Sequence, residues 1–146
     1  MGLAATVLAL GPRRWAIVLR VVATAVLVEP AVRLLPLRTA ARMAGAHLVL
    51  DGAIAARDGW PALSPAEHER CTLALRVLGR RPFRATCLRR SLVLASLLRR
   101  RRPALRVGVT KDAGAVAAHA WLEIGGATLD PEAAQYRGLA PLRAGR

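Results

Sequence analysis

The hydrophobic period changes once in the second half of the chain, at Arg99–Pro103, and that change limits the folds open to it. Before it, apolar residues at Leu88, Leu92 and Ala95 and at Leu94, Leu97 and Leu98 cover most of a helical circumference, which predicts a buried helix beginning at Cys87. Thr86 is a natural N-cap for it, and the Arg99–Arg102 run closes it, where cations complement the negative end of the helix dipole. After Pro103, Leu105, Val107 and Val109 alternate with Arg106, Gly108 and Thr110, the period of a half-buried strand. A polar turn at Lys111–Gly114 leads to a second strand, Ala117–Ile124, and Gly125-Gly126 forms the two-residue loop of a hairpin into Ala127–Asp130. A buried helix followed by antiparallel strands is an α+β arrangement.

The first half reads as helix. One segment runs from Arg13 to about Val28 and is expected to end at Glu29-Pro30, because proline disfavours helix in the residue before it. A second is expected from Leu37 to Ala56, with Met43, Ala46, Leu50 and Ile54 along one stripe. Gly59-Trp60-Pro61 breaks the chain. Ser64-Pro65-Ala66-Glu67 then supplies an N-cap, a first-turn proline and a capping-box glutamate for a helix that buries Cys71, Ala74, Leu75 and Leu78 and stops near Gly79. At 146 residues with 54% apolar content, one domain spanning 1–146 is expected, with a helical layer over 1–60 and a core over 61–146.

Composition excludes more than it assigns. The net charge of +14 comes from 23 Lys and Arg residues, all but Lys111 arginine, and so strong an arginine bias beside abundant Ala, Leu and Gly is also what a GC-rich genome produces. Aromatics are only 3%, too few to interleave with the cations as nucleic-acid readers require, so no nucleic-acid partner is expected. Such a basic surface suits an acidic peptide or protein instead. Arg13, Arg14 and Arg20 interrupt the apolar N-terminus, and its charges follow the Leu3–Leu10 stretch rather than precede it, so neither a spanning helix nor a signal peptide is favoured. Cys71 and Cys87 have neither metal-ligand spacing nor the density of a disulfide scaffold. Reduced thiols in a cytoplasm are expected, with no metal and no cofactor.

The residues that carry chemistry are Cys87, His119 and Asp130. A cysteine at a helix start meets free backbone N–H groups and the positive end of the dipole, which stabilise a thiolate and can also hold an oxyanion. On the second strand His119, Trp121 and Glu123 share one face, opposite Ala118, Ala120, Leu122 and Ile124. If Gly125-Gly126 is the loop, Ile124 faces Ala127 and Trp121 faces Asp130, which makes Asp130 the diagonal neighbour of His119. A Cys at a helix start, then a His, then an Asp on a hairpin is the constellation of a cysteine nucleophile with its base and the group that orients the base. Glu132 falls across from His119 by the same count and is a second candidate orienter, although Pro131 disfavours ladder pairing there. Trp121, beside the histidine, is a candidate for shaping the substrate groove.

The stretch Cys87-Leu88-Arg89-Arg90-Ser91-Leu92, the strand Arg106-Val107-Gly108-Val109, and Ala118-His119-Ala120-Trp121-Leu122-Glu123 followed by Asp130 resemble the transglutaminase-like (papain-like) cysteine peptidases that remove the leader from lasso-peptide precursors. The resemblance covers about 82–130 and is strongest at His119-Ala120-Trp121. It implies Cys87, His119 and Asp130 as a triad on a small core in which the helix bearing the nucleophile packs on an antiparallel sheet. It also implies a precursor leader peptide as substrate and a small leader-binding protein that guides the enzyme. A separate ATP-dependent macrolactam synthetase would use the amine that cleavage frees. In this sequence the apolar, arginine-bearing N-terminal layer is the expected docking surface for the leader-binding partner.

Two other classes fit the same residues. An acyltransferase of transglutaminase type would use the same triad and pass the acyl group to an amine. A non-catalytic basic membrane-surface or scaffold protein would use the N-terminal helices to hold lipid. Cys71 reads as a core residue of its helix, and His47 and His68 as structural or solvent-facing, with His47–Asp51 a conceivable pair on one helix face.

Overall fold

The computed structural model describes residues 11–50, 61–112, 114–130 and 137–138. Helix α1, Pro12–Leu34, opens with proline in its first turn and buries Val21 and Val28 against the rest of the molecule. It does not stop at Glu29-Pro30 as expected but continues one turn past Pro30. The reason is tertiary. The Glu29 carboxylate accepts from Arg89 on another helix at 2.6 and 3.0 Å and pairs with Arg33 one turn on at 2.6 Å, so the turn around the proline is tied on both sides. The bond with Arg89, then the charge of Arg33, holds the Glu29 carboxyl below its ordinary range.

Helix α2 spans only Leu37–Met43, so the helix expected to reach Ala56 is cut short. Gly45 ends it in the left-handed conformation, φ +83°, with Ala46 N–H donating to the Ala41 carbonyl and Gly45 N–H to that of Arg42, both at 2.9 Å. These two bonds form the Schellman motif. The chain then enters strand β1, His47–Val49, which places His47 on a strand, exposed, and removes the proposed helical pair with Asp51. The stripe of Met43 and Ala46 is absent too: Met43 is exposed and Ala46 buried. Ile54, Asp51 and the helix proposed over 51–56 lie outside the described residues. A Cβ on Gly45 would also meet the Cβ of Arg99 at 2.6 Å. Gly45→Ala is therefore expected to cost roughly 2–3 kcal/mol, from the left-handed backbone and the contact together, read as a lowered midpoint of urea unfolding.

Helix α3, Pro65–Leu78, starts as the sequence predicts. The Ser64 hydroxyl accepts from the Glu67 N–H at 3.3 Å and the Glu67 carboxylate accepts from the Ser64 N–H at 2.9 Å. Arg101 adds two bonds to that carboxylate, at 2.9 and 2.8 Å, and lowers the Glu67 pKa to about 2, with the Ser64 N–H assisting. A carboxyl lowered on folding stabilises the fold above its ordinary pKa of 4.5 and loses that contribution as pH falls towards 2. Thermal unfolding followed from pH 6 to pH 2.5 should therefore show a loss of midpoint below about pH 4.5 that is smaller in Glu67→Gln.

Helix α4, Cys87–Leu97, is buried through Leu92, Val93, Leu94, Ala95 and Leu97, as the all-round apolar pattern requires. Thr86 precedes it but makes no side-chain cap; its hydroxyl accepts from Arg89 at 3.4 Å instead. A short 3-10 turn, Arg99–Arg101, leads into β2, Ala104–Asp112, followed by β3, Ala115–Ile124, β4, Ala127–Thr128, and β5, Arg137–Gly138.

The sheet runs β1-β2-β3-β4, with β5 also on β2. It is mixed rather than purely antiparallel, because β1 pairs parallel with β2 (His47 opposite Ala104) while β3, β4 and β5 pair antiparallel. Helices α1, α3 and α4 share one apolar cluster with the sheet residues Leu105, Ala120 and Leu122 and with Leu129 just past β4. The fold is α+β. Helix α1 is the one described helix long and apolar enough to cross a membrane, with 23 residues and a mean hydropathy of 1.9. Core helices of soluble proteins and signal sequences meet the same criteria; α1 packs against both α3 and α4, with 17% of its apolar window buried.

Candidate active site

The first turns of α4 and the β3–β4 hairpin meet around a cavity of about 410 Å3. Cys87, Arg90, Ser91 and Leu94 line it from α4, at the i, i+3, i+4 and i+7 positions of one helix face. His119, Trp121 and Leu122 line it from β3, and Leu129 and Asp130 from the end of the hairpin. The three residues singled out for chemistry are thus brought to one cavity from separate elements.

The hairpin register is the expected one. Ile124 faces Ala127, Glu123 faces Thr128, and the Leu129 N–H reaches the Leu122 carbonyl at 3.4 Å, so the next residue, Asp130, falls beside His119. The Asp130 N–H donates to the Thr128 hydroxyl at 3.1 Å, which fixes the aspartate past the end of the ladder. His119 Nε2 lies 2.6 Å from Asp130 Oδ2. A carboxylate accepts only, so this contact assigns the ring proton to Nε2 and makes Nδ1 the nitrogen that takes a proton. Glu132, the other candidate orienter, lies outside the described residues.

Cys87 and Cys71 have contrasting surroundings, although both are free thiols. Cys71 is fully buried on α3, and burial, with Glu67 adding to it, pushes its pKa up to about 11. It is inert packing, as its helix face predicts. Cys87 is only half-buried, opens α4 and faces the cavity. Since Thr86 supplies no side-chain cap, the first-turn N–H groups receive no oxygen from the N-cap side chain, and this end of the helix can serve an anion at the sulfur or an oxyanion.

Two features here escape a reading of the sequence alone. Ser91 is buried, and its hydroxyl donates to the Ala120 carbonyl at 3.1 Å, which locks α4 to β3 one residue from His119. The face of β3 that carries the histidine is also not an open one. Trp121 is 1% exposed, stacks on the His119 ring with centroids 6.1 Å apart, and donates Nε1–H to Glu123 at 3.3 Å. Glu123 in turn pairs with Arg106 at 3.0 Å, and Arg106 sits directly across from Trp121 on β2. An ion pair, an indole and an imidazole thus form one row leading to Asp130.

A family model described as the transglutaminase-like superfamily matches residues 31–144, and that span contains the cavity, the hairpin and all three chemical residues. The chain belongs to the transglutaminase-like superfamily. Members of this superfamily commonly act as cysteine peptidases, and the fold is also compatible with acyl transfer. No curated protein and no solved structure matches the chain. Within a transglutaminase-like fold the cavity supplies a thiol, a base whose tautomer is set by a carboxylate, and a helix start for the developing negative charge, the parts required for attack on an acyl carbon. Among the described residues no group of three or more His, Cys, Asp or Glu is placed to hold a metal ion.

Proposed function

We propose that this protein is a cysteine peptidase that removes the leader from a ribosomally made lasso-peptide precursor. The observation that carries the catalytic reading is the 2.6 Å contact between His119 Nε2 and Asp130 in the cavity that Cys87 lines. His119 takes the Cys87 proton, and the thiolate attacks the scissile carbonyl. As the tetrahedral intermediate collapses, His119 returns that proton to the departing amine of the core peptide; the neutral imidazole then takes a proton from water, whose attack on the thioester frees the leader from the sulfur. The lasso-leader specificity rests on the resemblance of Cys87–Leu92 and Ala118–Glu123 to that peptidase family.

The proposed partners are the precursor leader, a small leader-binding protein, and the ATP-dependent macrolactam synthetase as the next enzyme, all in the cytoplasm. The surface assigned to the leader-binding protein is α1. Leu19, Val26, Leu27 and Leu34, 60–78% exposed, lie along one side of that helix, opposite the buried Val21 and Val28. Incubating the purified protein with its leader-binding partner and precursor should give two fragments separated at the leader–core junction. An intact precursor, or one carrying an added amine in place of two fragments, would overturn hydrolysis; the added amine would establish acyl transfer.

A further inference from the structure

The cavity wall around Cys87 and His119 is apolar at Leu75, Leu94, Leu122 and Leu129, and among its lining residues only Arg90 carries a fixed positive charge. Arg90 stands three residues after Cys87 on the cavity face of α4, exposed at the rim. The adjacent Arg89 is held by Glu29, and Arg101, Arg106 and Arg14 are held by Glu67, Glu123 and Glu69. Asp130 is engaged by His119. Every glutamate among the described residues thus faces an arginine other than Arg90, and no described carboxylate engages Arg90. A planar guanidinium at the rim of an apolar pocket, one helical turn from a nucleophile, matches a carboxylate in a bidentate geometry.

We propose that Arg90 is a specificity residue that forms a carboxylate subsite, so that the preferred substrate is a peptide with an acidic side chain beside a large apolar one next to the scissile bond. The inference rests on the reading of Cys87 as the nucleophile. The apolar side chain fills the leucine-lined pocket, and the carboxylate meets Arg90 at its mouth. The positive end of α4 adds to the same anionic preference.

Alkylation of Cys87 in the folded, full-length protein tests this without any peptide. Iodoacetate carries the carboxylate that Arg90 would attract; iodoacetamide is its neutral counterpart. Cys71 is fully buried, so modification at Cys87 is read separately by peptide mass. The ratio of the iodoacetate to the iodoacetamide rate should fall about three- to tenfold in Arg90→Gln, the ratio cancelling any change in thiolate content common to both reagents, because one favourable charge contact at a partly exposed site contributes about 1 kcal/mol. Arg80→Gln, an exposed charge outside the cavity, should leave the ratio as it is and so separate a local subsite from the field of the +14 chain. An unchanged ratio in Arg90→Gln, or an equal fall in Arg80→Gln, would overturn the subsite alone. A Cys87 that reacts with neither reagent in the folded protein would overturn the nucleophile reading itself.

Discussion

Cys87→Ala is expected to abolish precursor cleavage, with a loss of at least about 10^4-fold in kcat, while the thermal midpoint changes little. The size follows from chemistry: no other thiol reaches the cavity, since Cys71 is buried on α3 with its pKa raised to about 11, and an alanine methyl group offers no nucleophile. The fold should survive because Cys87 is half-buried at the first position of α4, where alanine is a better helix former. Asp130→Asn should give a smaller loss, about 10^2- to 10^4-fold, since the 2.6 Å partner of His119 Nε2 would be retained in size but not in charge. Steady-state rates for the three proteins, each checked for folding by circular dichroism, measure both effects. Cleavage by Cys87→Ala at the wild-type rate would remove the cysteine from the mechanism.

Glu123→Ala should give the largest loss of stability of any single change in the site, about 3–5 kcal/mol. Glu123 and Arg106 are 6% and 14% exposed, and the same carboxylate accepts the Trp121 indole N–H, so truncation strips two buried donors of one shared acceptor. For a chain of this length that corresponds to a fall of roughly 10 °C or more in Tm. Glu123→Gln keeps an oxygen in place and should lose less. Replacing both members of the pair by apolar residues of similar volume, Arg106→Met with Glu123→Leu, should recover part of the stability, because both desolvated charges are then removed together. An unchanged Tm for Glu123→Ala would show that the row from Arg106 to His119 does not hold the sheet face together. Because Trp121 stacks on His119, a loss of kcat is expected to accompany the loss of stability.

The parts of the site readable from sequence are those set by local rules. The capping box at Ser64–Glu67, the period change at Pro103 and the parity of the Gly125-Gly126 loop each depend on a few neighbouring residues, and parity alone places Asp130 beside His119. Where distant contacts decide, the sequence misleads. Nothing near Pro30 announces that Arg89, 60 positions away, will hold Glu29 and let α1 run on. Gly45 is a different case, since a glycine at a helix end is a recognised stop signal, and the apolar spacing that runs through it to Ala56 hid the Schellman turn. The parallel pairing of β1 with β2 has no local signature in three residues.

For the Arg106–Glu123 pair the shared face is legible in the sequence but the register is not. The turn expected at Lys111–Gly114 puts Thr110 opposite Ala115 and Arg106 opposite His119, on the face of Glu123 but two steps from it; the strands instead run on to Asp112 and Ala115, which moves Arg106 opposite Trp121, one diagonal step from Glu123. Ser91 gave no such signal, because a serine within a leucine-rich helix looks the same whether its hydroxyl meets a strand carbonyl or the carbonyl four residues earlier in its own helix.

The most direct test of the account is the covalent intermediate. Rapid quenching of the wild-type protein mixed with precursor and its leader-binding partner, followed by intact-mass and peptide-mass measurement, should find the leader joined as a thioester to Cys87 and to no other residue, an adduct lost on hydroxylamine treatment. Cleavage that proceeds with no adduct on Cys87, or with the adduct elsewhere, would contradict the assignment of Cys87 as the nucleophile of this transglutaminase-like fold.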